Sequence, residues 1–107
     1  MDKKVIMLAC AGGLSTSMLV TKMINAAQKK GIDAEIFAVP TSSALEKIKN
    51  NNHLDIVLLG PQVSYQEKEF KKYTDNTDIK LHVINMMDYG MMNGEKVLNT
   101  ALEIMNK

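Results

Sequence analysis

Short apolar runs alternate with amphipathic stretches along the whole chain. Val5–Ala9 and Asp55–Leu59 are almost continuously apolar, a pattern typical of strands buried on both faces of a parallel sheet. Ala34–Val39, which Pro40 ends, and Lys80–Ile84 are two further predicted strands. The polar and amphipathic segments between these runs are long enough to hold helices, so the strands are predicted to run parallel.

The helices are predicted from apolar spacing and from their end signals. The first runs from about Ser17 to Lys30, and Gly31 ends it. Ser43 with Glu46, and Ser64 with Glu67, have the spacing of capping boxes that open two further helices. A last helix carries one apolar stripe, formed by Val97, Leu98, Ala101, Leu102 and Met105.

This alternation predicts an α/β fold, with a four-stranded parallel sheet and helices on both faces, in a single domain spanning residues 1–107. Ligands of such sheets bind beyond the carboxyl ends of the strands, where the strand order reverses. Three predicted loops lie at that edge: Cys10–Ser17, Gly60–Gln62 and Asn85–Asn93. We therefore expect the functional site among these loops.

The Cys10–Ser17 loop has the composition of an anion site. Its small residues allow successive backbone N–H groups to point inward, and the following helix adds free N–H donors and a positive dipole end. Ser15, Thr16 and Ser17 supply hydroxyl groups. Cys10 is placed at the lip of this bowl, where such donors favour the nucleophilic thiolate. A lone cysteine that ends an apolar strand is more often a small buried hydrophobic residue. Such a residue does not require a following loop of glycines and hydroxyl residues, so the loop favours a functional cysteine.

Several known phosphate sites do not fit this loop. No lysine follows the glycines as in a nucleotide P-loop, and the spacing of a dinucleotide-binding loop is missing. A phospho-aspartate receiver would need acidic residues where Ala9, Cys10 and Leu59 stand. Cysteine phosphatases place an arginine six positions after the cysteine; Thr16 stands there, and the chain contains no arginine.

The missing arginine favours a phosphoryl relay over a phosphatase. A guanidinium that binds the phosphoryl group in the transition state promotes hydrolysis. Neutral donors hold the phosphoryl group without promoting hydrolysis. A thiol phosphatase-like enzyme and a non-catalytic regulatory domain are the alternatives. The relay hypothesis predicts that an arginine placed at Thr16 changes the lifetime of a phosphocysteine.

The composition limits which partners and which cellular compartment are expected for this protein. The net charge of +1 gives no reason to expect nucleic acid, and a single cysteine allows neither an internal disulfide nor a cysteine metal cluster. The apolar run Val5–Ala9 is far shorter than the roughly 20 residues of a membrane span. We expect a cytoplasmic protein with no metal, no cofactor and no direct membrane insertion. His53 and His82 are interpreted as structural or solvated, and the nine methionines mainly as packing residues.

Three segments resemble the enzyme IIB component of the phosphoenolpyruvate-dependent sugar phosphotransferase system, of the lactose/cellobiose type. They are Ile6–Val20, with its cysteine, small loop and Ser-Thr-Ser, then Asp55–Val63, and more weakly Tyr89–Gly94. Leu14 is a departure, since the family pattern has methionine after the second glycine; the exchange is apolar for apolar.

The resemblance implies a phosphocysteine carrier with a phosphate loop like that of low-molecular-weight tyrosine phosphatases. Cys10 would accept the phosphoryl group from a phosphohistidine of enzyme IIA. It would donate the group to a disaccharide such as cellobiose, chitobiose or a related β-glucoside, delivered by the membrane permease enzyme IIC. The predicted site comprises the nucleophile Cys10, the phosphate-binding residues Ala11, Gly12, Gly13, Leu14, Ser15, Thr16 and Ser17, and the partner contacts Pro61, Gln62 and Tyr65.

Overall fold

A computed structural model describes residues 3–11, 14–50 and 53–106. Four parallel strands form one sheet in the order β2-β1-β3-β4. The strands are β1 Lys4–Cys10, β2 Ala34–Pro40, β3 Ile56–Leu59 and β4 Lys80–Val83. The helices are α1 Leu14–Lys30, α2 Thr41–Lys49, α3 Glu67–Thr74, α4 Met86–Gly90 and α5 Gly94–Met105, with a 3₁₀ helix over Pro61–Gln66.

The sheet has an apolar core on each face, which confirms the predicted fold class. Side chains of β1 alternate between the two cores: Ile6 and Leu8 point to one face, Met7 and Ala9 to the other. Helices α1 and α5 cover the first face, and α2 and α3 cover the second. From Ile6 onward β1 is buried on both sides, as is all of β3, and both of these stretches are continuously apolar.

Helix α1 begins at Leu14, three residues before the predicted start. Ser17 therefore lies inside the first turn, and its carbonyl accepts a hydrogen bond from the Thr21 hydroxyl at 3.1 Å. The predicted end is confirmed. Gly31 has a φ of 68°, and the N–H of Ile32 bonds back to the carbonyl of Ala27 at 2.9 Å, which closes the helix.

Both predicted capping boxes are wrong. Helix α2 starts directly after Pro40, two residues before Ser43, without a side-chain cap. Ser64 lies within the 3₁₀ helix, and α3 follows without a side-chain cap. Helix α2 follows directly on the extended Pro40, and α3 continues directly from the 3₁₀ helix that Pro61 begins, so neither helix starts at the predicted serine.

The predicted loop Asn85–Asn93 contains a helix that the sequence reasoning did not find. The Asn85 side chain accepts hydrogen bonds from the N–H groups of Met87 and Asp88, at 2.9 and 3.1 Å, and this caps α4. The Asn93 side chain accepts from the N–H of Lys96 at 3.1 Å and caps α5 in the same way.

The strand order reverses between β1 and β3. The chain moves from β1 outward to β2, and then crosses to β3 on the other side of β1. Cys10 ends β1 and Gly60 follows β3, so both lie at the switch point where a ligand site is expected. The N–H of Gly60 donates to the carbonyl of Ala9 at 2.9 Å, which holds the two strand ends together.

Candidate functional site

Cys10 is the last residue of β1, one of the two inner strands of the sheet. It pairs with Pro40 of β2 on one side, and Gly60 lies against its β-carbon on the other. Only 3% of the residue is exposed, so the cysteine is buried rather than open to solvent at the rim of its loop. The cause is its position at the end of β1, between Pro40 of β2 and the Gly60 segment that follows β3, with Thr16 from the first turn of α1 against its sulfur.

The sulfur of Cys10 nevertheless has a polar neighbour. Its Sγ lies 3.0 Å from the Thr16 hydroxyl oxygen, and that oxygen lies 3.0 Å from the phenol oxygen of Tyr89. Thr16 is 3% exposed and Tyr89 is 7% exposed, so the three groups form a buried chain of hydrogen bonds. The site is therefore not sealed among aliphatic groups.

The predicted phosphate-binding residues differ in where their side chains lie relative to Cys10. Thr16 turns its hydroxyl inward to Cys10, whereas Ser15 and Ser17 are exposed. Ala11 is also exposed, Leu14 begins α1, and Gly12 and Gly13 lie outside the described residues. The bowl of inward-facing backbone N–H groups thus stays a prediction.

The electrostatics of the α1 start suit an anion. The first turn of this 17-residue helix contains no acidic side chain that would neutralise the positive end of its dipole. Cys10 is joined to that turn through the Thr16 hydroxyl. A negative charge on the sulfur, or on a group attached to it, would lie close to this end of the helix.

The burial of Thr16 affects the arginine test that the sequence suggested. Its side chain fills the space between Cys10 and Tyr89, so an arginine there would displace the phenol and disturb the core. A change in phosphocysteine lifetime would then have two causes. Smaller substitutions at Thr16 are the better probes.

The predicted partner contacts lie on the 3₁₀ helix after β3. Pro61 is half-buried, and Gln62 is exposed with its Oε1 beside Gly60. Tyr65 is 78% exposed, and its phenol oxygen accepts a bond from Gln66 Nε2 at 3.2 Å. Gln62 therefore lies next to the Cys10 end of the sheet. Contact of these residues with a partner stays a prediction.

Tyr89 is the site residue that the sequence reasoning missed. Helix α4 places it, and Asn85 caps that helix. A signal was present, since Asn85 and Asp88 have the spacing of a capping box with Asn and Asp in place of Ser and Glu. That pattern predicts a helix start at Asn85, although it does not predict where the phenol points.

The histidines lie apart from this chain of hydrogen bonds. His53 is exposed and comes before β3, at the sheet edge opposite Cys10, and His82 is half-buried and pairs with Leu58 inside the sheet. Among residues 3–11, 14–50 and 53–106, no cluster of three or more His, Cys, Asp or Glu side chains could hold a metal ion. Within the described segments, none of the helices has both the length and the hydrophobicity of a membrane span.

The described methionines differ in burial, and Met92 and Met105 are half-buried against the core. Met7 and Met23 are fully buried, as the packing interpretation predicts. For others that interpretation is wrong, because their side chains are largely exposed on α1 and α4 or directly after α4: Met18, Met86, Met87 and Met91. Exposed methionine side chains are suited to adaptable protein contacts.

A family model described as "PTS system, Lactose/Cellobiose specific IIB subunit" matches residues 5–100. The chain is 45% identical to a galactose-specific EIIB component of Lactococcus lactis subsp. cremoris, across 99% of this chain and 100% of that protein. It is 46% identical to an oligo-beta-mannoside-specific EIIB component of Bacillus subtilis, across 95% and 96%. The solution structure of a cellobiose-specific phosphotransferase IIB component from Borrelia burgdorferi superimposes with a TM-score of 0.79, at 38% identity and coverage of 98% and 94%.

Proposed function

The chain belongs to the lactose/cellobiose-specific IIB family of the sugar phosphotransferase system, and on this premise we propose that Cys10 is the residue that carries the phosphoryl group. The observation that carries the proposal is the position of its sulfur. It lies at the switch point of the sheet, 3.0 Å from the Thr16 hydroxyl in the first turn of α1. Cys10 is the only cysteine of the chain.

The proposed reaction has two displacements at phosphorus. In the first, the Cys10 thiolate attacks the phosphorus of a phosphohistidine, the S–P bond forms, and the P–N bond breaks with its electron pair returning to the imidazole. In the second, a sugar hydroxyl attacks and gives its proton to water, the O–P bond forms, and the thiolate leaves with the S–P electron pair. The protein ends in the state in which it began.

The residues around Cys10 suit a carrier rather than a hydrolase. Thr16 takes the position that holds arginine in cysteine phosphatases. Its neutral hydroxyl is hydrogen-bonded to the Cys10 sulfur. It can hold the phosphoryl oxygens through a hydrogen bond without the charge that speeds attack by water. The group therefore keeps its transfer potential until an acceptor arrives.

The proposed partners follow from the family. The phosphohistidine donor is enzyme IIA, and the acceptor sugar is presented by the membrane permease enzyme IIC, so this chain works at the cytoplasmic side. The sugar is a disaccharide such as cellobiose, chitobiose or a related β-glucoside. The similar relatives have galactose, oligo-beta-mannoside and cellobiose in their names at 45%, 46% and 38% identity, so overall identity does not select among sugars.

Intact mass spectrometry tests the proposal. After incubation with phosphoenolpyruvate and the upstream phosphotransferase proteins, we expect the chain to gain one phosphoryl group that survives mild base and is discharged by iodine. Cys10→Ser should gain none while its melting temperature stays close to that of the native chain. A phosphorylated Cys10→Ser protein would overturn the assignment. Turnover of p-nitrophenyl phosphate that depends on Cys10 would favour the phosphatase-like alternative instead.

A further inference from the structure

The structure links Tyr89 to Cys10 through a single hydroxyl group. Thr16 Oγ1 lies 3.0 Å from Cys10 Sγ and 3.0 Å from the Tyr89 phenol oxygen, and all three residues are buried. We propose that Tyr89 is a positioning residue for Cys10, whose phenol O–H donates to Thr16 and thereby turns the Thr16 proton toward the sulfur. The effect on phosphoryl transfer rests on the proposed function of Cys10, whereas the effect on the thiolate does not.

The donor and acceptor roles in this chain of hydrogen bonds follow from the number of protons available. A thiolate can only accept a hydrogen bond, so Thr16 must give its single proton to Sγ. The Thr16 oxygen then has only lone pairs to offer Tyr89, so the phenol must donate. A thiol allows either direction. The phenol therefore stabilises the charged sulfur selectively, and it strengthens the Thr16 donor by polarising that hydroxyl.

The surrounding structure holds the phenol in place. Tyr89 packs in the core between the sheet and helices α1 and α5. Its helix is fixed at the start by the Asn85 side chain, and after its end by the bond from the N–H of Asn93 to the carbonyl of Asp88 at 2.9 Å. Among the described residues, Thr16 is the only hydrogen-bond partner of the phenol oxygen. A buried phenol held this way has little freedom to turn elsewhere.

Tyr89→Phe is the matching test, because it keeps the ring in the core and removes only the hydroxyl. The readout is the ultraviolet absorbance of the thiolate, taken as the difference from Cys10→Ser, at one fixed pH at which only a minority of the native thiol is ionised. We expect the thiolate fraction to fall about three- to tenfold, which corresponds to the loss of one hydrogen bond. Tyr73→Phe is the control, since it also removes a phenol hydroxyl but lies on the opposite face of the sheet, beside the second apolar core.

Substitutions at Thr16 separate positioning from a structural role. Thr16→Val should lower the thiolate fraction more, by about ten- to a hundredfold, since it removes the bond to the charged sulfur itself. Thr16→Ser keeps the hydroxyl and should restore most of the loss. Because Tyr89 acts through Thr16, adding Tyr89→Phe to Thr16→Val should lower the thiolate fraction no further. A merely structural tyrosine would give additive losses.

Each outcome decides the proposal. An unchanged thiolate fraction in Tyr89→Phe, or additive losses in the double variant, would overturn it. Phosphorylation by the upstream proteins is measured on the same variants and should slow in the same order. If the thiolate fraction responds as expected but the native protein is never phosphorylated, the carrier function fails and the positioning role of Tyr89 stands.

Discussion

Gly60 and Cys10 lie so close together that a side chain at position 60 would press on the cysteine. A β-carbon on Gly60 would be 3.2 Å from Cys10 Cβ and 3.2 Å from Gln62 Oε1. The φ of Gly60 is −63°, which any residue adopts, so the glycine is required by space and not by its backbone conformation. The absence of a side chain here leaves room for the cysteine at the switch point.

Gly60→Ala is expected to slow phosphorylation more than it harms folding. Cys10 or Gln62 must shift by a few tenths of an ångström, and such a displacement of a nucleophile lowers the transfer rate about tenfold. The free energy of unfolding should fall by only about 1 kcal/mol. Mass spectrometry over time and thermal melting measure the two effects. Gly90→Ala is the control, because its β-carbon would meet nothing within 4 Å; equal rates in both variants would show that the contact is unimportant.

Asn85→Ala and Asn93→Ala form a matched pair of lost helix caps. Each removes a side-chain acceptor at the start of a helix and should lower the free energy of unfolding by about 1 kcal/mol. Only Asn85 caps the helix that places Tyr89, so only Asn85→Ala should also slow phosphorylation of Cys10. Denaturant melts and phosphorylation rates test this. Equal slowing in the two variants would mean that lost stability alone affects the rate.

Gly94→Ala is expected to be strongly destabilising. A β-carbon at this position would lie 2.6 Å from backbone and side-chain atoms of Lys22 and 2.7 Å from the N atom of Met23, so α5 would have to move away from α1. Overpacking against a backbone costs about 1–3 kcal/mol of unfolding free energy. Thermal denaturation beside Gly90→Ala, which adds the same methyl group in open space, measures the cost. A melting temperature equal to that of the control would contradict the packing of these helices.

Tyr65→Ala tests the predicted partner contact. The ring is 78% exposed, so its removal should change the free energy of unfolding by less than about 0.5 kcal/mol. If enzyme IIA covers the ring, the KM for the phosphorylated donor should rise several-fold, while Tyr65→Phe stays close to the native value. Steady-state transfer from the donor measures both variants. A KM that does not change would remove Tyr65 from the predicted contacts.

Errors in the element boundaries have a common physical cause. Ser43 and Ser64 match a capping pattern, but a helix starts wherever the first free N–H groups are satisfied or left to solvent, and the chain after Pro40 and Gly60 reaches helical geometry earlier. Helix α4 was missed because its five residues are too short to show a period in apolar spacing. In a helix as short as α4, the capping residue is the only feature of the sequence that predicts where the helix starts.

The sequence by itself determined the sheet, the helices on its faces and the place of Cys10 at the end of β1. Uninterrupted apolar runs are stable only when they are buried on both sides, and a parallel sheet brings its strand ends to one edge. Only the tertiary structure decided that the cysteine is buried and that Tyr89 bonds to Thr16, 73 positions earlier in the chain. That bond exists because α1 and α4 meet beside the same strand end, and no local pattern of residues records the contact between two distant helices.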